Sequence, residues 1–155
     1  MWDSFLQGLE FSRLGFAARG SVWLYPLANL AHVVGATLLV GAILVFDLLL
    51  LRRRFHMATA IAPTALGVAA TGLILLLLSG PVMFSAEATA FGQNPVFLAK
   101  MAFIAAGFTN LGLYHWGERR AVLQPAVPAN ARYHAAFSAG IWILAVLAGR
   151  SIAYV

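Results

Sequence analysis

Residues 25–51 read YPLANLAHVVGATLLVGAILVFDLLLL and run directly into Arg52-Arg53-Arg54. Past Tyr25, only His32 and Asp47 interrupt this run with an ionisable side chain. Leu, Ala, Ile and Val dominate it, and the period-2 alternation of a membrane barrel strand is absent. A helix of about 20 apolar residues crosses a hydrocarbon core. Lipid offers no hydrogen bonds to the backbone, so a helix is the conformation that satisfies every peptide group there. The three arginines stop the run at one membrane edge.

Working outward from this stretch, four apolar segments emerge, at about 23–51, 60–79, 95–116 and 132–154. Their ends have local causes. Ala62-Pro63 is expected to open the second and Gly80-Pro81 to end it, since proline is tolerated in a first helical turn. Asn94-Pro95 opens the third, with Asn94 as its cap. Glu118-Arg119-Arg120 ends it. Pro125 and Pro128 mark the last connection, and Asn130 is expected to cap the fourth segment. Residues 1–22 differ: Trp2, Phe5, Leu6, Leu9 and Phe16 fall near helical spacing among Asp3, Gln7, Glu10 and Arg19. They predict an amphipathic helix lying in the membrane interface, not a signal peptide. The expected fold is all-α: a four-transmembrane-helix bundle over 23–155 with an N-terminal interfacial amphipathic helix over 1–22.

Composition agrees. Of 155 residues, 62% are hydrophobic and 10% charged, with no cysteine; mean hydropathy is +0.87. Soluble domains carry about 25% charged residues, so a soluble enzyme is excluded, and so is disorder. The lack of cysteine excludes disulfides, thiolate-held iron–sulfur clusters and cysteine zinc sites. The net charge of +5 does not point to nucleic acid. Most basic residues end apolar segments, and no basic arm exists. Arg52, Arg53, Arg54, Arg119, Arg120 and Arg132 fall on one side, which by the positive-inside rule places that side in the cytoplasm. The expected location is a bacterial inner membrane, multi-pass, with both termini periplasmic. No phosphate loop, His-Glu-x-x-His motif or nucleophile elbow is present. The chain is at most a membrane redox protein, without a hydrolase signature.

Ionisable groups inside a span cost roughly 2.5–3.5 kcal/mol each on insertion scales, so each needs a reason. His32 and Asp47 lie 15 residues apart on the first span, as do Lys100 and His115 on the third. Fifteen residues rise about 22 Å and return to within about 60° of the starting direction. Two polar layers follow: His32 with Lys100 near the outer edge, Asp47 with His115 near the inner one. His115 and His134 are equally far from the middle of their connection, near Gln124, which sets them at one depth as a candidate ligand pair. Asn110 adds a neutral polar group. Each also has a plainer reading: Asp47 snorkelling toward Arg52 or Arg53, Lys100 reaching outer headgroups, and His134 at the interface beside Tyr133.

The run 25–51 with its arginines, the stretch GPVMFSAEATAFGQNPVFLAKMAFIAAGFTNLGLYH at 80–115 and the ending AGRSIAYV at 148–155 resemble a bacterial four-helix integral membrane family catalogued as of unknown function. The resemblance covers most of residues 25–155 and puts His32, Asp47, Asn94, Lys100, Asn110, His115 and Arg150 at its pattern positions. More remotely the layout looks like copper-resistance D membrane proteins and small membrane b-type cytochromes. That likeness implies haem b or a metal ion held by histidines. The expected function is therefore a haem-b or metal-binding bundle in membrane electron transfer. His115 and His134 would be the inner ligands and His32 an outer one, with Lys100 or Arg150 near a haem propionate. Asp47 would orient His115, and Asp47 and Asn110 would handle protons or support the ligands. Transport of protons or a copper-like cation is one alternative. A structural subunit of a larger membrane complex is the other. Expected partners are the lipid bilayer and a membrane redox protein or further copies of the chain.

Overall fold

The computed structural model describes residues 1–121 and 130–154, with the side chains of residues 1–113, 130–152 and 154. In chain order the helices are α1 (Trp2–Glu10), α2 (Arg13–Gly20), α3 (Leu24–Leu51), α4 (Phe55–Ala86), α5 (Ala88–Gln93), α6 (Pro95–Ala121) and α7 (Ala131–Ser151). A single 3₁₀ turn, Ile152–Tyr154, follows α7. No strand occurs among the described residues. α3, α4, α6 and α7 are each long and apolar enough to cross a membrane, so the chain is an all-α, multi-pass membrane protein.

The arginine triplet reverses the chain within three residues. Arg53 takes φ 57°, the left-handed region that non-glycine residues seldom adopt. That geometry turns the Arg53 and Arg54 N–H groups back onto Leu50 O at 3.1 Å and Leu49 O at 2.9 Å. The carbonyls left over at the α3 terminus are thereby satisfied.

α4 corrects two boundaries expected from sequence. Pro63 and Pro81 lie inside this 32-residue helix and neither opens nor ends it. Each proline removes one N–H and leaves the carbonyl four residues earlier without its helical partner. Membrane helices tolerate this where neighbours support the helix. α3 packs along α4, and Arg19 Nη1 donates to Ala86 O at 2.9 Å at the far end. Asn94 caps α6 as expected, its Oδ1 accepting from Val96 N at 2.8 Å and Phe97 N at 3.1 Å. Asn130 stands at the start of α7 without a side-chain cap bond; its amide meets the His134 ring instead.

The N-terminal segment is two helices where one was expected. Ser12 breaks it, its hydroxyl accepting from Gly15 N at 3.2 Å, as an N-cap serine does. Leu6 is 0% exposed and sits on Gly92, where a Cβ would come within 2.6 Å of both its methyl carbons. Glu10 Oε2 accepts from Thr89 N at 2.9 Å, and Arg19 Nη2 donates to Glu10 O at 2.7 Å. α1, α2 and α5 thus close one end of the bundle, here the cap end; the arginine turn marks the other.

Inside the bundle, small residues replace large ones. Ala28, Gly35, Ala58, Gly72, Ala135, Ser138 and Ala145 are buried, while Leu27, Leu30, Val45, Leu77, Leu78 and Leu147 are exposed. Lipid is as apolar as leucine, so close backbone approach drives helix association there. α3 packs tightly on α4 and α7, and α7 on α6. The backbones of α4 and α6 stay apart over most of their length. Near the cap end the two helices meet through a stacked pair of rings, Phe84 and Phe97, 5.4 Å apart.

Candidate functional site

The polar side chains of the four long helices gather at two levels, one toward each end. Toward the cap end, α3 presents His32 and α4 presents Ser79. The His32 Nδ1 and Ser79 Oγ lie 3.0 Å apart, and Ser79 Oγ donates its proton to Leu75 O at 2.6 Å. A serine hydroxyl carries one proton, so His32 must supply the other, from Nδ1–H. The lone pair is left on Nε2. Gly80 lies beside the ring, its missing Cβ position 3.8 Å from His32 Cε1. Lys100 on α6 lies close enough for its charge to act on this ring. Its stem crosses α7 at Gly149, where a Cβ would stand 3.4 Å from both Cε and Nζ. Lys100 has no hydrogen bond or ion pair with any described residue. Arg150, next along α7, turns away: Nη2 donates to Tyr154 Oη at 2.6 Å and the guanidinium covers the Tyr154 ring.

Toward the arginine turn, Asp47 is 5% exposed. Its Oδ2 is buried with no hydrogen-bond partner, and the buried Ser138 hydroxyl of α7 lies nearby. Asp47 thus turns into the bundle, and it forms no ion pair with Arg52 or Arg53. One turn earlier on α7, His134 engages Asn110 of α6. Asn110 Nδ2 donates to His134 O at 3.1 Å, and His134 Nδ1 lies 2.8 Å from Asn110 Oδ1. His134 Nδ1–H is therefore the donor, and Nε2 accepts from Asn130 Nδ2 at 3.4 Å.

These contacts set Asn110 level with His134. His115 lies five residues further along α6, about 7 Å of helix rise beyond that level. Equal distance from Gln124 therefore does not translate into equal depth. The His115 side chain, Gln124 and the prolines of the last connection lie outside the described residues, so the expected His115–His134 ligand pair and the Asp47–His115 contact are not described. No group of three or more potential metal-ligating His, Asp or Glu side chains occurs among the described residues.

Sequence reading missed two partners, Ser79 and Ser138. Ser79 was visible as the one hydroxyl closing the run LILLLL at 73–78. Ser138 could not be singled out, because spacing alone does not say which face of α7 meets α3. No protein-family model matches the sequence, and no curated protein or solved structure is similar to it.

Proposed function

We propose that this membrane protein takes up and passes protons, with Asp47 as the inner station and His32 as the outer one. The observation that carries the reading is Asp47 Oδ2, a carboxyl oxygen buried in a span with no partner. An intramembrane acid kept at this energetic cost marks an ion or proton path more often than packing. His32 supports it from the other end of the same helix, with its Nε2 lone pair available to accept a proton. Between the two, Leu39 and the contact of Gly35 with Gly72 close α3 against α4. This close α3–α4 contact separates the two stations along that helix pair.

In this reading the arginine turn faces the cytoplasm of a bacterial inner membrane and both termini face the periplasm. Trp2, Phe5, Phe11 and Phe16, all exposed at the cap end, rest in the outer interface. The four apolar helices accord with the four-helix membrane family that the sequence resembles.

A second reading has one supporting observation. Ser79 holds His32 in the Nδ1–H tautomer, as partners of metal-ligating histidines do. His32 Nε2 would hold the iron of haem b, with Lys100 close enough for its charge to act on the ring. Such a haem would supply one-electron transfer.

Proteoliposomes containing a pH-sensitive dye test the first reading. The intact chain should dissipate an imposed pH gradient faster than empty vesicles, and Asp47→Asn should return the rate to the empty-vesicle level. Equal rates for the two proteins would sink the proton reading. An oxidised-against-reduced visible spectrum of the same preparation decides the second: haem bands lost in His32→Ala would establish it, and a colourless protein would end it.

A further inference from the structure

Three features of the cap end point to a ligand there, and one of them, His32 Nε2, is shared with the proton reading. Lys100 carries a positive charge at a span level with no partner among the described residues. His32, beside Gly80, lies at the same level, and its Nε2 makes no hydrogen bond among those residues. α4 and α6, which flank the two groups, do not pack closely. The bundle thus offers a cationic donor and a neutral acceptor at one level, beside helices whose backbones do not pack closely beneath the Phe84–Phe97 pair.

The approach to this place is from the side. Phe84 lies four residues beyond Gly80 on α4, and Phe97 three residues before Lys100 on α6. Both are about one turn nearer the cap. Their stacked rings, with Phe91 of α5 lying 5.7 Å from Phe97, roof the site on its aqueous side. The flanking outer surfaces are apolar: Leu77 and Leu78 on α4, Leu98 and Met101 on α6 are exposed. A ligand entering beneath the roof comes from lipid.

We propose that the parted α4–α6 edge at the cap end holds the head of one acidic phospholipid that carries a free hydroxyl, such as phosphatidylglycerol. Lys100 Nζ donates to the phosphate, and the head-group hydroxyl donates to His32 Nε2. The phosphate neutralises the unpaired lysine through a charge-assisted hydrogen bond. The hydroxyl uses the acceptor that the Ser79 contact leaves on the imidazole. The hydroxyl shares Nε2 with the outer proton station, so lipid binding here rests on the neutral His32 of that reading, while lipid retention is measured without a pH gradient and is independent of Asp47. A haem on His32 would take the same nitrogen.

Native mass spectrometry of the full chain, released from mixed phosphatidylglycerol and phosphatidylcholine membranes, tests the site. One phosphatidylglycerol should remain bound. Lys100→Met keeps the stem and removes the charge, and should lower that occupancy by about tenfold, the worth of one hydrogen bond to a charged group. Lys100→Arg keeps the charge and should retain the lipid, which separates loss of binding from loss of fold. Arg54→Gln, at the other end, should leave the adduct intact. Equal retention by the wild type and Lys100→Met would overturn the proposal, as would retention of phosphatidylcholine in place of phosphatidylglycerol. Displacement by free glycerol phosphate would assign a soluble ligand and overturn the lipid. Undiminished phosphatidylglycerol retention by His32→Phe would overturn the His32 contact.

Discussion

Glu10 accepts the Thr89 backbone N–H at 2.9 Å, and this bond, ahead of Thr89's side chain and Arg19, holds its carboxyl below the ordinary value of 4.5. A carboxyl lowered in the folded state stabilises that state above its unfolded pKa and stops doing so as pH falls through the folded one. The α1–α5 clasp should therefore hold at neutral pH and loosen only below about 4.5, within the range where unperturbed glutamates titrate. The chain has no cysteine and a Cβ on Gly8 meets nothing within 4 Å, so a spin label at Gly8→Cys reports on α1 alone. Its mobility should rise in acid, and the rise should be absent from Glu10→Gln, which keeps an acceptor without the titration. A label indifferent to pH in the parent protein would contradict this role. Two asparagines show what residue type conveys at this scale. Both precede helices, yet Asn94 caps α6 while Asn130 turns to His134. Capping is a local preference, and the nearby imidazole competes for the same amide.

The helices owe their existence to composition and their contacts to the absence of side chains. A Cβ on Gly72 would stand 2.6 Å from Gly35 O and from Leu39 N. Both are backbone atoms that can yield only if α3 moves. Gly72→Ala should lower stability in detergent by about 1–3 kcal/mol, the usual penalty for overpacking. Gly67→Ala and Gly41→Ala, where a Cβ meets nothing within 4 Å, should be neutral or stabilising by up to about 1 kcal/mol through helix propensity. Thermal unfolding of the three variants separates these outcomes; equal midpoints would mean that the Gly35–Gly72 contact does not hold the hairpin. Pro63 and Pro81 teach the complementary lesson. A local rule ends helices near proline, but packing along α3 carries α4 through both.

For the whole molecule, arginine placement bears on orientation. In spheroplasts, the Gly8→Cys thiol should react with a membrane-impermeant maleimide added outside. Replacing Arg52, Arg53 and Arg54 together by Gln should reduce the labelled fraction as some chains insert in the opposite sense. Unlabelled thiols in the parent chain would reverse the assignment of both termini. The same triplet makes the tight turn between α3 and α4, so charge and chain reversal reside in the same three residues.

The four apolar helices, the arginine turn and the Asn94 cap follow from the sequence alone, because hydropathy, charge clusters and capping are properties of neighbouring residues. The approach of His32 and Lys100 was also foreseeable, since both count inward from the same end of parallel spans. Only the tertiary structure paired His32 with Ser79 and His134 with Asn110, and brought Ser138 near Asp47. These contacts depend on how far each helix is rotated and slid against its neighbour. Small residues at Gly35, Gly72, Ala135 and Ser138 set that rotation and offset through close packing, which linear spacing does not encode.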